Sequence, residues 1–275
     1  MTSAIKLEWL KLKNYPVFWV LIAMYLFALM VVAFGGTFFL EWLKSKGLDF
    51  NGVDPTMLPL YDFPDIWQNL TWLASFIKIL LAYVVIISVN NDLSYNLLRQ
   101  NIIDGFSKKN YLVSKIALIV GLALMSTSAL FGAGLVNGFI HSEVISARYI
   151  FDEMEFLAAY ALDIFVFCSF AFLLSLIIKK AGFIIVALTI YSLMFEPLLC
   201  FILENAPFLT DPIWPNIAQF LPISALNNLI AIPFPKYIFQ EVVTDIPIKP
   251  LIIVLVWEAI FVGGIVYILN KGDIK

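Results

Sequence analysis

Charge is what this chain has least of. Only 13% of its 275 residues are Asp, Glu, Lys or Arg, and 62% are hydrophobic, whereas soluble domains run at roughly 25% charged and 45–50% apolar. That balance excludes an ordinary soluble domain and makes a bilayer the solvent. Histidine occurs once, at 141, and cysteine twice, at 168 and 200. One histidine builds neither a zinc site of the usual composition nor an H-E-x-x-H helix, so no metal site is expected. His141, beside Glu143, reads as an interfacial polar residue. Cys168 and Cys200 both fall in apolar runs, where a thiol behaves as a small hydrophobe, so no disulfide framework is expected. No G-x-x-x-x-G-K-[ST] loop is present to cradle phosphates, and no polar stretch is long enough for a nucleotide-binding domain.

What the chain has is long apolar runs. About 20 such residues cross a hydrocarbon core, and six runs qualify, near 16–40, 72–90, 115–140, 156–178, 182–203 and 250–270. The expected fold is an all-α polytopic membrane protein in a single transmembrane domain spanning 1–275. The first run is not a cleaved leader, because an amphipathic stretch precedes it and no small-residue cleavage site follows. With six spans both termini share one side, and basic residues favour that side eleven to five. By the positive-inside rule the N- and C-termini are then cytoplasmic.

Residues 1–15 read as an interfacial helix: Ile5, Trp9 and Leu12 share a face, and Lys6, Lys11 and Lys13 reach for lipid headgroups. Pro16 suits the first turn of the next helix. An outer loop at 41–71 is interrupted by turn residues. A second, at 204–249, is apolar and punctuated by proline, as expected of several short helices at or in the outer leaflet. In GAGLVNG (132–138), Gly134 and Gly138 lie four apart on one face and allow close helix packing, expected within the chain rather than at a dimer seam.

The loop at 91–115 is longer than a bare connection between spans requires. Tyr95, Leu98, Ile102 and Phe106 form an apolar stripe at helical spacing, Asp104 and Gly105 invite a break, and Lys108, Lys109 and Lys115 return the chain to the membrane surface. Two short amphipathic helices with a turn between them are expected, as a docking element.

Four charges fall inside the spans: Lys78, Asp163, Glu196 and Glu258. Counted from the outer ends each sits roughly 10 Å deep, so they are expected to share a layer. A charge in hydrocarbon must face protein, water or another charge, and is a functional candidate by default. The layer is read either as a structural ion pair, with Lys78 satisfied by one acid, or as the polar lining of a vestibule. Proton coupling is a third possibility. Glu196 precedes Pro197, a candidate kink.

Taken together, NDLSYNLLRQNIIDGFSKKNYLVSK (91–115) between spans two and three, EWLKLKN (8–14) in an amphipathic N-terminal helix, six spans with both ends inside, and FLPISAL (220–226) before the last span resemble the permease subunits of type-2 ABC exporters. The resemblance extends over nearly the whole chain without a strict motif. It implies that 91–115 forms cytoplasmic coupling helices. Arg99, Ile103, Asp104, Gly105, Phe106, Ser107 and Lys108 would then meet an ATPase. It further implies two copies of a separate ATPase subunit that binds ATP and Mg, and a second permease subunit in a homo- or heterodimer. The setting it implies is a bacterial inner membrane, with membrane lipid and no nucleic acid among the partners. This chain would hold no cofactor and catalyse nothing itself.

Two other classes compete. An intramembrane protease or lipid transferase lacks its residues here, there being no second His and no evident Ser-His pair with an orienting acid. An ion- or proton-coupled secondary transporter or channel has the intramembrane charged layer in its favour, but no internal repeat of the kind common in such proteins relates 1–135 to 136–275.

Overall fold

The computed structural model describes residues 2–47, 60–94, 107–142, 144–205, 213–233 and 245–271. Among these every regular element is helical. Six segments are long and apolar enough to cross a membrane, and the chain is a multi-pass membrane protein.

Helix α1 (Thr2–Lys13) runs into α2 (Pro16–Ser45), the first span, with Pro16 at the start, where a missing N–H leaves no helical bond unmade. The second span is α3 (Ile66–Ser75), one 3₁₀ turn (Phe76–Lys78) and α4 (Ile79–Ser94). Thr71 and Ser75 donate side-chain hydrogen bonds back to the carbonyls of Trp67 and Trp72 at 2.6 and 2.7 Å, a competition with the helical ladder that favours a tightened turn. The third span, α5 (Lys108–His141), is capped by the Ser107 hydroxyl, which accepts from the Asn110 N–H at 3.2 Å. A short α6 (Ala147–Phe151) leads to α7 (Glu155–Ile178), the fourth span, which stops at Lys179 in the left-handed region (φ 57°).

The fifth span is α8 (Ala181–Ile190), a π-turn (Tyr191–Phe195) and α9 (Glu196–Asn205). Pro197 offers no N–H to the turn before it, and its ring crowds the carbonyl four residues back. A widened turn at that place absorbs both effects. Two short helices, α10 (Ile213–Ala218) and α11 (Pro222–Asn227), precede the sixth span, α12 (Ile248–Lys271).

Helix α7 is the axis of the bundle. Ile164, Val166, Phe167, Cys168, Ala171 and Phe172 are fully or almost fully buried, and α3, α4, α5, α8 and α12 all pack on it. Helix α2 closes the side formed by α4 and α5, while α10 and α11 pack on α9, with α11 also against α12. The outer surface is apolar, with Phe27, Phe38, Phe183 and Met194 all more than 60% exposed, which suits hydrocarbon as the neighbouring medium.

Several boundaries differ from the sequence reading. The helix that carries span one continues to Ser45, past 40, and span two begins at Ile66 rather than 72, so the 41–71 segment is shorter than expected at both ends. The 91–115 loop shrinks most. Helix α4 runs on to Ser94 and α5 begins at Lys108, and two of the polar residues that suggested a loop, Asp92 and Lys115, are used in contacts between helices. The expected short helices on the stripe Tyr95, Leu98, Ile102 and Phe106 lie outside the described residues, as does Glu143. Helix α1 buries Ala4, Glu8 and Leu12, so of the expected face only Leu12 points inward; Ile5 and Trp9 are 44% and 50% exposed.

Candidate functional site

At the end of the bundle that carries α1, four charges converge on one point. Glu8 sits in the middle of the buried side of α1, between Ala4 and Leu12 at helical spacing. Ser88 and Asp92 lie four apart on α4, and so face the same way. Lys115 stands two turns into α5. Its ammonium lies 2.5 Å from Glu8 Oε1 and 2.6 Å from Asp92 Oδ2, and donates to Ser88 Oγ at 2.6 Å. Ser88 Oγ in turn donates to Glu8 Oε1 at 2.8 Å. Lys11 completes the group, 2.9 Å from Asp92 Oδ1. The Tyr111 ring lies 5.4 Å from the Lys115 ammonium. Two carboxylates and two ammoniums cancel, so the cluster is neutral and can be buried without stranding a charge.

This clamp joins α1 to the ends of α4 and α5 that flank residues 95–106. It overturns the reading of Lys115 as a surface anchor: its side chain is wholly buried. Lys11, expected at lipid headgroups, is drawn to Asp92 instead. The sequence did carry signals. Glu8 interrupts the Ala4–Leu12 face, and Lys115 is an isolated charge inside YLVSKIALIV.

Of the expected coupling residues, Ser107 caps α5 and Lys108 opens it. Arg99, Ile103, Asp104, Gly105 and Phe106 lie outside the described residues.

The four intramembrane charges do not meet at one point. Lys78 and Asp163 do meet, Nζ to Oδ1 at 2.6 Å, both nearly fully buried, with the Phe167 ring 5.3 Å from the ammonium. Glu258 instead accepts from Ser169 Oγ at 3.0 Å, six residues or roughly 9 Å further along α7. Glu196 accepts from the Ser224 N–H at 2.7 Å and so ties the start of α9 to α11. Asp163 Oδ2 and Glu258 Oε2 are buried without a hydrogen-bond partner among the described residues.

A third polar group went unforeseen. Tyr25 on α2, Ser126 on α5 and Tyr160 on α7, all completely buried, form a closed triangle of hydroxyls. Tyr25 and Tyr160 are 2.7 Å apart, Ser126 and Tyr160 2.9 Å, and Tyr25 and Ser126 also share a hydrogen bond. Tyr83 and Thr189 make a similar link between spans two and five at 2.5 Å.

His141 is exposed, with its Nδ1 3.0 Å from the Asn137 carbonyl oxygen. No group of three or more His, Cys, Asp or Glu among the described residues could hold a metal ion. Cys168 and Cys200 are both unpaired thiols.

Comparison with protein-family models gives no match to this chain, and comparison with curated proteins gives none.

Proposed function

We propose that the chain is the membrane-spanning permease subunit of an ATP-binding cassette exporter in a bacterial inner membrane, with both termini in the cytoplasm. It dimerises with a second permease subunit and works with two copies of a separate ATPase that binds ATP and Mg. The observation that supports this reading best is the clamp of Glu8, Asp92, Lys11 and Lys115. A docking loop moves a membrane domain only if the helices at its two ends respond together, and the clamp fastens the inner ends of spans two and three to each other and to α1. Closure of the ATPases against residues 95–107 would then be delivered to three helices as one body. Such a push shifts an equilibrium between inward and outward states only if the loop contacts the ATPase differently in each.

The test is purification of the tagged chain from its native membrane in mild detergent, with bound proteins identified and counted. An equimolar partner carrying a phosphate-binding loop, lost when residues 99–110 are altered, is the expected result. Replacing Gly105 and Phe106 with bulky acidic residues should abolish ATP-driven transport while leaving insertion intact. Normal transport by that variant would remove the coupling assignment.

A second reading, an ion- or proton-coupled transporter or channel, draws on the oxygens of Asp163 and Glu258 that have no hydrogen-bond partner among the described residues. It requires activity of the chain purified alone, driven by an ion gradient without ATP.

A further inference from the structure

The two sides of α1 treat their lysines differently. Lys11 is bound into the clamp. Lys6 and Lys13 are exposed, and neither has an acidic partner among the described residues. They stand three residues before and four residues after Trp9, so all three lie along one stripe of the helix. Beside that stripe is a cleft of about 360 Å³ between α1, α2 and α5, walled by Trp9, Trp19, Ile22, Leu118, Leu122 and Met125. Trp9 and Trp19 meet edge to face across it, with ring centroids 6.3 Å apart. The Trp19 indole N–H donates to the Lys13 carbonyl at 2.9 Å, which ties the end of α1 to a residue of the cleft wall. Gly121 forms part of the wall, and a Cβ there would meet nothing within 4 Å.

We propose that this cleft is a specific site for one anionic phospholipid of the leaflet in which α1 lies, with an acyl chain along the apolar wall and the phosphate between Lys6 and Lys13. The observations favour a lipid for three reasons. The walls are apolar apart from Glu8 and Ser114, Lys6 and Lys13 bracket the α1 side of the cleft roughly 10 Å apart along the helix, and paired indoles at such a boundary suit the interface between headgroup and hydrocarbon. A zwitterionic lipid gains the apolar contact but not the attraction, since a basic residue near the surface favours anionic lipid specifically. The site does not depend on an ATPase, so it stands or falls apart from the exporter reading.

Native mass spectrometry of the delipidated full chain, titrated with phosphatidylglycerol and with phosphatidylcholine of the same acyl chains, provides the test. The expected result is one phosphatidylglycerol bound with a preference over phosphatidylcholine on the order of tenfold or more. The double variant Lys6→Gln/Lys13→Gln should bring the two lipids to parity. Gly121→Leu, which fills the cleft from a position with room for the side chain, should weaken both while leaving the lysines in place. Thermal unfolding of each variant shows whether it is folded. Equal binding of the two lipids to the unaltered chain, or an unchanged preference in folded Lys6→Gln/Lys13→Gln, would overturn the proposal. So would undiminished binding in folded Gly121→Leu, which would put the lipid elsewhere on the surface.

Discussion

Lys115 and Glu8, 107 positions apart in the chain, lie 2.5 Å apart in a site where the lysine has no exposure at all. Lys115 also serves Asp92, so its removal strands two buried carboxylates with only Lys11 between them. Breaking a buried pair by deleting one partner costs about 3–5 kcal/mol, and Lys115→Met should lower stability by that order. Glu8→Gln combined with Lys115→Met leaves Asp92 its contact with Lys11 at 2.9 Å, and should recover a large part of the loss. Unfolding of the three proteins in one detergent measures this; an unaltered midpoint for Lys115→Met would contradict the clamp.

Gly134 and Gly132 make a matched pair of controls on α5. A Cβ at Gly134 would come within 2.6 Å of Trp67 Cζ3 on α3, whereas one at Gly132 would meet nothing within 4 Å. Gly134→Ala should therefore overpack the contact and cost about 1–3 kcal/mol. Gly132→Ala gains helix propensity and should be neutral or stabilising by up to ~1 kcal/mol. Thermal unfolding that ranks the two the other way would mean that α3 and α5 pack differently. The small residues at 134 and 138 admit Trp67 and Phe63, which is packing within the chain, as their spacing suggested.

The hydroxyl triangle should respond as a unit. Interhelical hydrogen bonds in membranes are worth about 0.6 kcal/mol on average and up to ~1.7, because unfolded helices in the bilayer also find partners. Tyr160→Phe removes two of the three bonds, and Tyr25→Phe also removes two. Since the Tyr25–Tyr160 bond is common to both, the double variant should cost less than the sum of the single ones. Strict additivity in a double-mutant cycle would show that the three hydroxyls do not act together.

These contacts show where the sequence was legible and where it was not. Helices longer than a bilayer is thick announce themselves through uninterrupted hydrophobicity, so all six spans could be read. Their ends could not, because a charge such as Asp92 looks like a loop residue until its partner helices are seen. Asp92 lies in α4, where Lys11 and Lys115 reach it from elsewhere in the chain. Lys78 and Asp163 meet while Glu258 and Glu196 bind elsewhere, because residue counts along a run say nothing of the azimuth that decides which charges face each other. Tyr25, Ser126 and Tyr160 carried no signal at all, since buried hydroxyls in a membrane helix are common and only packing brings three together.

Lys78 and Asp163 decide between a pair that holds spans two and four together and a pair that takes part in transport. Asp163→Leu alone leaves the Lys78 ammonium buried beside Phe167 with no carboxylate, and should cost about 3–5 kcal/mol. Lys78→Met together with Asp163→Leu replaces the pair by apolar side chains. That exchange is often neutral or stabilising for buried pairs, so unfolding temperature should return to that of the unaltered chain or pass it. Transport measured on this double variant then separates the readings. An exporter driven by a separate ATPase keeps its activity when a structural ion pair is exchanged for packing, whereas an ion- or proton-coupled mechanism through Asp163 loses its titratable group and stops.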